Sequence, residues 1–256
     1  MVDWQVFTLF LYIIARVSGF ILFNPILGRN NLPTLFKAGF ILVLSAFTAS
    51  VTTQTAAIPS QISVFSIVIL KELLIGYILG FVMHLFFYII QLAGQVMDTQ
   101  MGMTMSQIYD ASSGSNMTVS ASFLNTLMIL LFFAANGHHT LLRILLTSGE
   151  IVPFGGLVLN IPLLTESMIR LFVECTVLGI KLSMPILVAE LLGQLGMGIL
   201  MKVIPQINVF SINIELKVLV GFGLLFALIS PISEYLLQAE MTMLKSMEEL
   251  LRLSAG

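Results

Sequence analysis

Three methionines stand at alternate positions in MDTQMGMTMSQIYDASSG, residues 97–114. Met101, Met103 and Met105 carry soft sulfur atoms, which are the kind of ligand that Cu(I) prefers. An extended segment would place the three sulfurs on one side, whereas a helix would scatter them. Methionine is also unbranched and polarizable, so the same row could form a deformable apolar seal. A third interpretation is a loop whose methionines pack on neighbouring helices, and the spacing leaves all three open.

A carboxylate and two glycines recur every four residues in KELLIGYILG. Glu72, Gly76 and Gly80 therefore share one face of a predicted helix. Glycines at this spacing allow two helix backbones to approach closely, and Glu72 would then point into the contact. Close helix packing is one interpretation of this face, and a carboxylate for a coupling ion is the other.

Other ionisable residues lie inside apolar runs. Glu174 and Lys181 are seven residues apart, about 10 Å along one helical face at 1.5 Å per residue. Because that distance is too long for a direct pair, each needs a partner from another helix or another chain. Arg16 also lies inside an apolar run and likewise needs a partner from another helix or another chain. A proton relay is the alternative use of such groups.

The remaining reactive residues do not form a catalytic or metal-binding pattern. His138 and His139 are adjacent, and we expect neighbouring side chains on a helix to point apart. No metal-ligand spacing accompanies them. The single cysteine, Cys175, is expected to be a buried apolar residue. The sequence has no nucleophile elbow, phosphate-binding loop or dinucleotide turn, so we predict no enzyme activity, no cofactor and no metal.

The composition identifies the elements that must position these residues. Of 256 residues, 58% are hydrophobic and only 9% are charged. Soluble domains carry about 25% charged residues, so the chain is predicted to be an integral membrane protein. Its net charge of −2 provides no basic surface for nucleic acid.

A helix needs about 20 apolar residues to cross a bilayer. Ionisable groups in several of the candidate runs fit hairpins packed inside a larger assembly better than isolated spans in lipid. The tail MLKSMEELLRLSAG is predicted to be a short amphipathic helix. The predicted helical runs are 4–23, 38–51, 62–93, 117–135, 168–192 and 216–239.

Several ordered motifs resemble the FliR family. They are ARVSGFILFNPILG, AGQVMDTQMGM followed by YD, NGHHTLL, and PQINVFSINIELKVLVG. The most specific stretch is PQINVF, residues 205–210, and the resemblance covers nearly the whole chain. FliR is a membrane component of the flagellar type III protein-export gate, with counterparts in virulence injectisomes.

The resemblance implies an all-α membrane protein packed in a helical hetero-oligomer. Residues 1–200 would form a FliP-like part containing a pore-plug loop, 97–116, and residues 201–256 a FliQ-like hairpin with an amphipathic tail. The implied partners are FliP-, FliQ-, FlhB- and FlhA-like proteins, unfolded export substrates and membrane lipid. The implied location is the flagellar basal body in the bacterial inner membrane, with the assembly rising on the periplasmic side.

The resemblance also implies roles for individual residues. The plug would comprise Met101, Met103, Met105, Ile108 and Tyr109. Subunit contacts would involve Arg16, Glu72, Gly76, Gly80, Glu174, Lys181, Pro205, Gln206, Asn208 and Phe210. A small-solute or copper transporter that uses the methionines and a purely structural scaffold are the alternative functions.

Overall fold

A computed structural model describes residues 4–54, 61–103, 106–110, 115–156, 160–203 and 209–254. These ranges are helical except for turns and one short antiparallel hairpin, which confirms the all-α membrane class. The hairpin joins β1 (Gln107–Asp110) to β2 (Ser115–Thr118). The helices are α1 (Trp4–Leu22), α2 (Thr34–Val51), α3 (Ile62–Gln100), α4 (Val119–Ala134), α5 (Gly137–Ile151), α6 (Ile161–Val203), α7 (Val209–Ala227) and α8 (Ile229–Ser254).

Four of these helices are long and apolar enough to cross a membrane, namely α1, α2, α3 and α6. The number rises to six if the bent pairs α4–α5 and α7–α8 each count as one span. At 1.5 Å per residue, the 39 residues of α3 and the 43 of α6 correspond to about 58 and 64 Å. The hydrocarbon core is about 30 Å thick. Both helices are therefore too long to lie wholly within it at an ordinary tilt.

Two sharp bends have identifiable causes. The chain bends by 70° between α4 and α5, where Asn136 adopts a left-handed conformation with φ of 59° and Gly137 follows. It bends by 64° between α7 and α8. Pro231 lies in the first turn of α8 and cannot donate to the carbonyl of Ala227, so a continuous helix is interrupted there.

These bends correct several predicted boundaries. The predicted run 216–239 is wrong as one helix, because it breaks at Leu228. Helix α5 was not predicted, and α3 and α6 are longer than the runs 62–93 and 168–192. The amphipathic tail begins at residue 229. Its buried face recurs every three or four residues, at Ile232, Leu236, Ala239, Met243, Met247 and Leu250.

The chain divides into two compact units. The first contains Met1–Phe86, Asn136–Phe172 and Glu240–Gly256, and the second contains Phe87–Ala135 and Val173–Ala239. Buried side chains of the first include Ile13, Phe20 and Leu79, and those of the second include Ile90, Leu124 and Met128. The FliP-like and FliQ-like division at residue 200 is a likeness to other proteins and stays a prediction.

Candidate functional site

The methionine segment starts and ends on a pair of helices that are joined by one carboxylate. Asp98, in the last turn of α3, is fully buried. One of its oxygens accepts the backbone N–H of Ser120 at 2.7 Å, and the other accepts the Ser120 hydroxyl at 2.5 Å. Ser120 lies in the first turn of α4, whose N-cap residue Thr118 makes no side-chain cap. Asp98 therefore supplies the cap and the negative charge that a helix N-terminus favours.

A close backbone contact lies one turn further down the same pair of helices. A Cβ atom on Gly94 of α3 would overlap the backbone of Ala121 in α4, so only glycine fits there. Hydrogen bonds to a charged group contribute about 1.5–3 kcal/mol each. Together the Asp98–Ser120 bonds and the Gly94–Ala121 contact hold the two ends of residues 101–118 at a fixed separation. We call these four residues the base clamp.

The chain leaves α3 through a tight turn. The Met101 N–H donates to Met97 at 3.0 Å, and the Met103 N–H donates to the backbone carbonyl of Asp98 at 2.8 Å. Gly102 has φ of +77°, a value that glycine adopts without the steric cost of a side chain. This is a glycine-terminated helix end. Met101 and Gly102 form the turn, so the extended arrangement that would place all three sulfurs on one side is not present at Met101.

Met101 is buried and lies against another helix. A Cβ atom on Gly221 of α7 would come within 2.6 Å of the Met101 sulfur, so the absent side chain at Gly221 makes room for this methionine. Met101 has no exposed surface, whereas Met103 is partly exposed. These two side chains thus differ in environment and do not form one uniform exposed row. Met105 lies outside the described residues.

The rest of the described segment is the β-hairpin. Ile108 pairs with Met117, and Tyr109 pairs with Asn116. Both predicted plug residues, Ile108 and Tyr109, therefore lie in β1. The second strand leads directly into α4, with Met117 buried beside the start of that helix. The hairpin leads directly into α4, and the first turn of α4 contains the base-clamp residues Ser120 and Ala121.

A second polar network surrounds Arg16 in the first unit. Arg16 and Glu72 form an ion pair at 2.7 Å, with exposed fractions of 1% and 0%. The same guanidinium donates to the carbonyls of Ser148 at 2.9 Å and Val152 at 3.0 Å, and it lies 4.2 Å from the centre of the Phe154 ring. A cation beside the last carbonyls of a helix is stabilising, so Arg16 also caps the C-terminal end of α5.

Glu72 completes this network on its other side. Its second oxygen accepts the N–H of Gly155 at 2.9 Å. Arg16 and Glu72 are thus enclosed by their own chain, and the pairing is between helices α1 and α3. Sequence reasoning found the two charges and missed Ser148, Val152 and Gly155. They contribute mainly backbone groups, which any residue type could supply.

The predicted close approach of helices at the two glycines is confirmed. A Cβ atom on Gly76 would overlap the Arg16 carbonyl, and one on Gly80 would lie 3.0 Å from the backbone of Phe23. Gly19 of α1 makes the reciprocal contact with Leu73 of α3. The contact joins α1 and α3, and Glu72 points into it as expected.

The other predicted interface residues lie elsewhere. Glu174 and Lys181 are exposed on α6. Phe210 lies in the first turn of α7, and its side chain is outside the described set, as are Pro205, Gln206 and Asn208. Their place in subunit contacts stays a prediction.

No group of three or more His, Cys, Asp or Glu side chains among the described residues is arranged to hold a metal ion. The rings of His138 and His139 lie 4.1 Å apart, so the expectation that they point away from each other is wrong. Cys175 is buried, as expected.

Comparison with known proteins gives one consistent result. The family model described as bacterial export proteins, family 1, matches residues 7–243. The flagellar biosynthetic protein FliR of Escherichia coli K12 is 30% identical, over 89% of this chain and 88% of that protein. FliR of Pectobacterium carotovorum is also 30% identical, over 92% and 90%. FliR of Bacillus subtilis is 26% identical, over 89% and 88%.

Proposed function

The chain belongs to the FliR family, family 1 of the bacterial export proteins, and we propose that it is a membrane subunit of the flagellar type III protein-export gate. In this proposal it catalyses no reaction and works by closing a pore. Residues 97–116 contain the plug loop, with Met101, Met103, Met105, Ile108 and Tyr109 as the plug residues. The plug excludes ions and small solutes, and it yields when an unfolded protein is pushed through.

The observation that carries this proposal is the base clamp at the foot of a segment that contains no lysine or arginine. Asp98 and Ser120 hold the two ends of the segment together, so its middle can be displaced without unfolding α3 or α4. The sequence has no lysine or arginine between Lys71 and Arg143. A plug without positive charge places no cationic barrier in the pore.

The contact chemistry of methionine suits a reversible seal. Each pair of apolar atoms in contact contributes only about 0.1–0.2 kcal/mol, and such contacts form equally well around many shapes. A salt-bridged plug would require one geometry. Met101 already makes such apolar contacts in the structure, since its side chain lies in the space left by Gly221. We infer that the methionines beyond it close the pore by fit and not by metal coordination.

We further propose the setting in which this plug acts. In this proposal, residues 1–200 form a FliP-like part and residues 201–256 a FliQ-like hairpin with an amphipathic tail. Together with several FliP- and FliQ-like subunits they would build a helical assembly in the inner membrane that extends to the periplasmic side. The lengths of α3 and α6, which exceed the hydrocarbon core, support this extension. FlhB- and FlhA-like proteins would supply the remaining contacts, with Pro205, Gln206, Asn208 and Phe210 at a subunit boundary.

Deleting residues 103–110 tests the plug. The base clamp remains, so we expect the gate to assemble and to co-purify with its FliP- and FliQ-like subunits. Membranes that contain it should leak ions, measured as K⁺ or proton flux. The matched control replaces Met101, Met103 and Met105 by leucine, which keeps volume and apolarity. We expect that control to remain sealed.

Each competing function predicts a different result. A copper transporter would bind Cu(I) and lose transport on leucine replacement. A pure scaffold would show no change in ion permeability or export when the segment is removed. Unchanged permeability in a correctly assembled deletion variant would count against the plug.

A further inference from the structure

Helix α2 has a long apolar face that its own chain leaves uncovered. Its buried residues are Leu44, Ser45 and Thr48, and the helix packs against α1. The Thr48 hydroxyl donates to the Leu44 carbonyl at 2.8 Å, and the Ser50 hydroxyl donates to the Phe47 carbonyl at 2.7 Å. Both hydroxyls are thus satisfied within the helix, as apolar surroundings require. The exposed large apolar side chains are Leu35, Phe36, Leu42, Val43, Phe47 and Val51.

The length and charge of this face match the hydrocarbon core of a bilayer. The 18 residues of α2 correspond to about 27 Å at 1.5 Å per residue, and the hydrocarbon core is about 30 Å thick. Lys37, in the first turn, is the only ionisable residue of α2. The face therefore suits acyl chains, and its single cation marks the end that meets the lipid headgroups.

A compact turn joins α1 to α2 at that end. The side-chain oxygen of Asn24 accepts the N–H groups of Ile26 and Leu27 at 2.8 and 3.0 Å. The side-chain nitrogen of Asn24 lies 3.2 Å from the Met83 sulfur of α3. A Cβ atom on Gly28 would come within 2.6 Å of two backbone carbonyl oxygens. The turn is therefore closely packed and fixed to α3, so it presents its side chains in a defined geometry.

Two cations converge on this turn. The Arg29 Nε donates to the Pro25 carbonyl at 3.2 Å, and the Lys37 ammonium donates to the Gly28 carbonyl at 2.9 Å. The Gly28 carbonyl belongs to the peptide group that precedes Arg29, so the Lys37 side chain carries its charge from α2 back to the turn. Among the described residues, the two terminal nitrogens of Arg29 have no acceptor, and Lys37 keeps two further protons to donate.

The chain provides no anion for these two cations. The sequence has no aspartate or glutamate between Asp3 and Glu72, and Glu72 is paired with Arg16. Neither Arg29 nor Lys37 forms an ion pair with another residue that the structure describes. Helix stability does not explain Lys37 either, because a cation in the first turn faces the positive end of the helix dipole. An anion from outside the chain therefore complements this turn.

We propose that Arg29 and Lys37 bind the headgroup phosphate of an anionic phospholipid whose acyl chains lie along α2. Arginine binds phosphate through two parallel N–H bonds, and lysine binds it as a point charge. A free phosphate ion would contact only the two cations, whereas a phospholipid contacts them and also covers the apolar face. The inference goes beyond the gate function, because it requires only that the chain lies in a bilayer.

Photocrosslinking in lipid vesicles tests the contact. The full chain, with the subunits that co-purify with it, is reconstituted in about three parts phosphatidylcholine and one part phosphatidylglycerol. Benzoylphenylalanine replaces Asn30, exposed on the turn, or Val43, exposed in the middle of α2. We expect both positions to capture lipid, which the adduct mass identifies. Asn30 should capture phosphatidylglycerol at least about fivefold above its share of the vesicle. Capture of another protein subunit at Val43 would overturn the proposal.

Charge variants locate the headgroup site. Arg29→Gln combined with Lys37→Gln should reduce phosphatidylglycerol capture at Asn30 to its share of the vesicle. Arg29→Lys combined with Lys37→Arg keeps both charges and should retain most of the enrichment. The matched control, Arg143→Gln combined with Arg170→Gln, removes two exposed positive charges elsewhere in the first unit. That control should leave the enrichment unchanged.

Salt supplies a readout that a purely structural role of the two cations would not change. The Debye length falls from about 10 Å at 0.1 M salt to about 3 Å at 1 M. The enrichment at Asn30 should therefore fall at high salt, while total lipid capture at Val43 stays constant. Enrichment that is absent in the unmodified chain, or unchanged when both cations become glutamine, would overturn the headgroup site. Either result would leave the gate proposal standing, since ion leakage of the plug deletion tests that separately.

Discussion

Arg16 illustrates how an ionisable residue can lie inside an apolar helix without facing lipid. Its charge is matched by Glu72, and its remaining donors reach the carbonyls of Ser148 and Val152. A buried ion pair adds stability only when its remaining polar groups are also satisfied. Here one guanidinium and one carboxylate connect α1, α3 and the end of α5. Arg16 and Glu72 therefore hold the first unit together, and a proton relay is not needed to explain their burial.

Replacing Arg16 by alanine should destabilise the chain by about 3–5 kcal/mol, because Glu72 would be left as an unpaired buried charge. The free energy of unfolding in mixed micelles measures this. The matched control is Arg170→Ala, since the Arg170–Glu166 pair is 3.5 Å long and about 70% exposed. We expect that change to cost less than about 1 kcal/mol.

The double replacement Arg16→Met with Glu72→Leu separates the ion pair from the backbone contacts. It removes both charges together, yet it leaves the Val152 carbonyl and the Gly155 N–H without the partners that Arg16 and Glu72 provide, whereas the Ser148 carbonyl still accepts the Val152 N–H. Unsatisfied buried groups cost about 1–3 kcal/mol each, so the double variant should remain less stable than the unmodified chain. If the double variant had the same free energy of unfolding as the unmodified chain, the hydrogen bonds to the backbone would contribute nothing beyond the ion pair.

At the scale of helices and turns, the sequence predicts element type better than boundaries. The apolar runs identified most helices, and the spacing of Gly76 and Gly80 predicted the α1–α3 contact. The break at Leu228 was missed because its cause, Pro231, lies three residues downstream within a run that reads as helical. The turn at Met101 was not predicted, because the alternating methionines were considered only as an extended or a helical row, whereas Gly102 ends a helix. The base clamp was missed because Asp98 and Ser120 are 22 residues apart.

The fit of α3 to α7 at Met101 gives a prediction for these elements. Gly221→Ala adds a methyl group 2.6 Å from the Met101 sulfur. A flexible side chain can swing away, so the backbone need not move, and alanine gains about 1 kcal/mol in helix propensity. We expect near-normal stability with Met101 displaced from its buried position. Peroxide oxidation, followed by mass spectrometry, should then modify Met101 severalfold faster than in the unmodified chain.

Two internal comparisons make that measurement specific. Met103 is already partly exposed, so its oxidation rate serves as the reference within each sample. A Cβ atom on Gly223, two residues further along α7, meets nothing within 4 Å. Gly223→Ala should therefore leave Met101 protected. Equal protection of Met101 in both variants would show that Gly221 does not position it.

The whole molecule carries more exposed apolar surface than a self-sufficient protein would. On α2 alone, exposed residues include Leu35 at 84%, Val43 at 69% and Val51 at 61%. Lipid can cover α2, which has only one charged residue, Lys37, near its start. Large exposed apolar surfaces of this kind mark protein or membrane interfaces, and the proposed gate would cover part of them with other subunits.

That incompleteness predicts how the chain behaves when its partners are missing. Binding to the folded state stabilises it by mass action, so co-expression with FliP- and FliQ-like subunits should lengthen the half-life of this chain in the membrane severalfold. Pulse-chase labelling measures it, with an unrelated helical membrane protein co-expressed as the control. The variant that lacks residues 103–110 should gain the same protection if, as proposed, these residues serve as a plug and not as an assembly surface. A half-life that the partners leave unchanged would mean that lipid alone covers these faces, and the chain would then be a self-contained membrane protein.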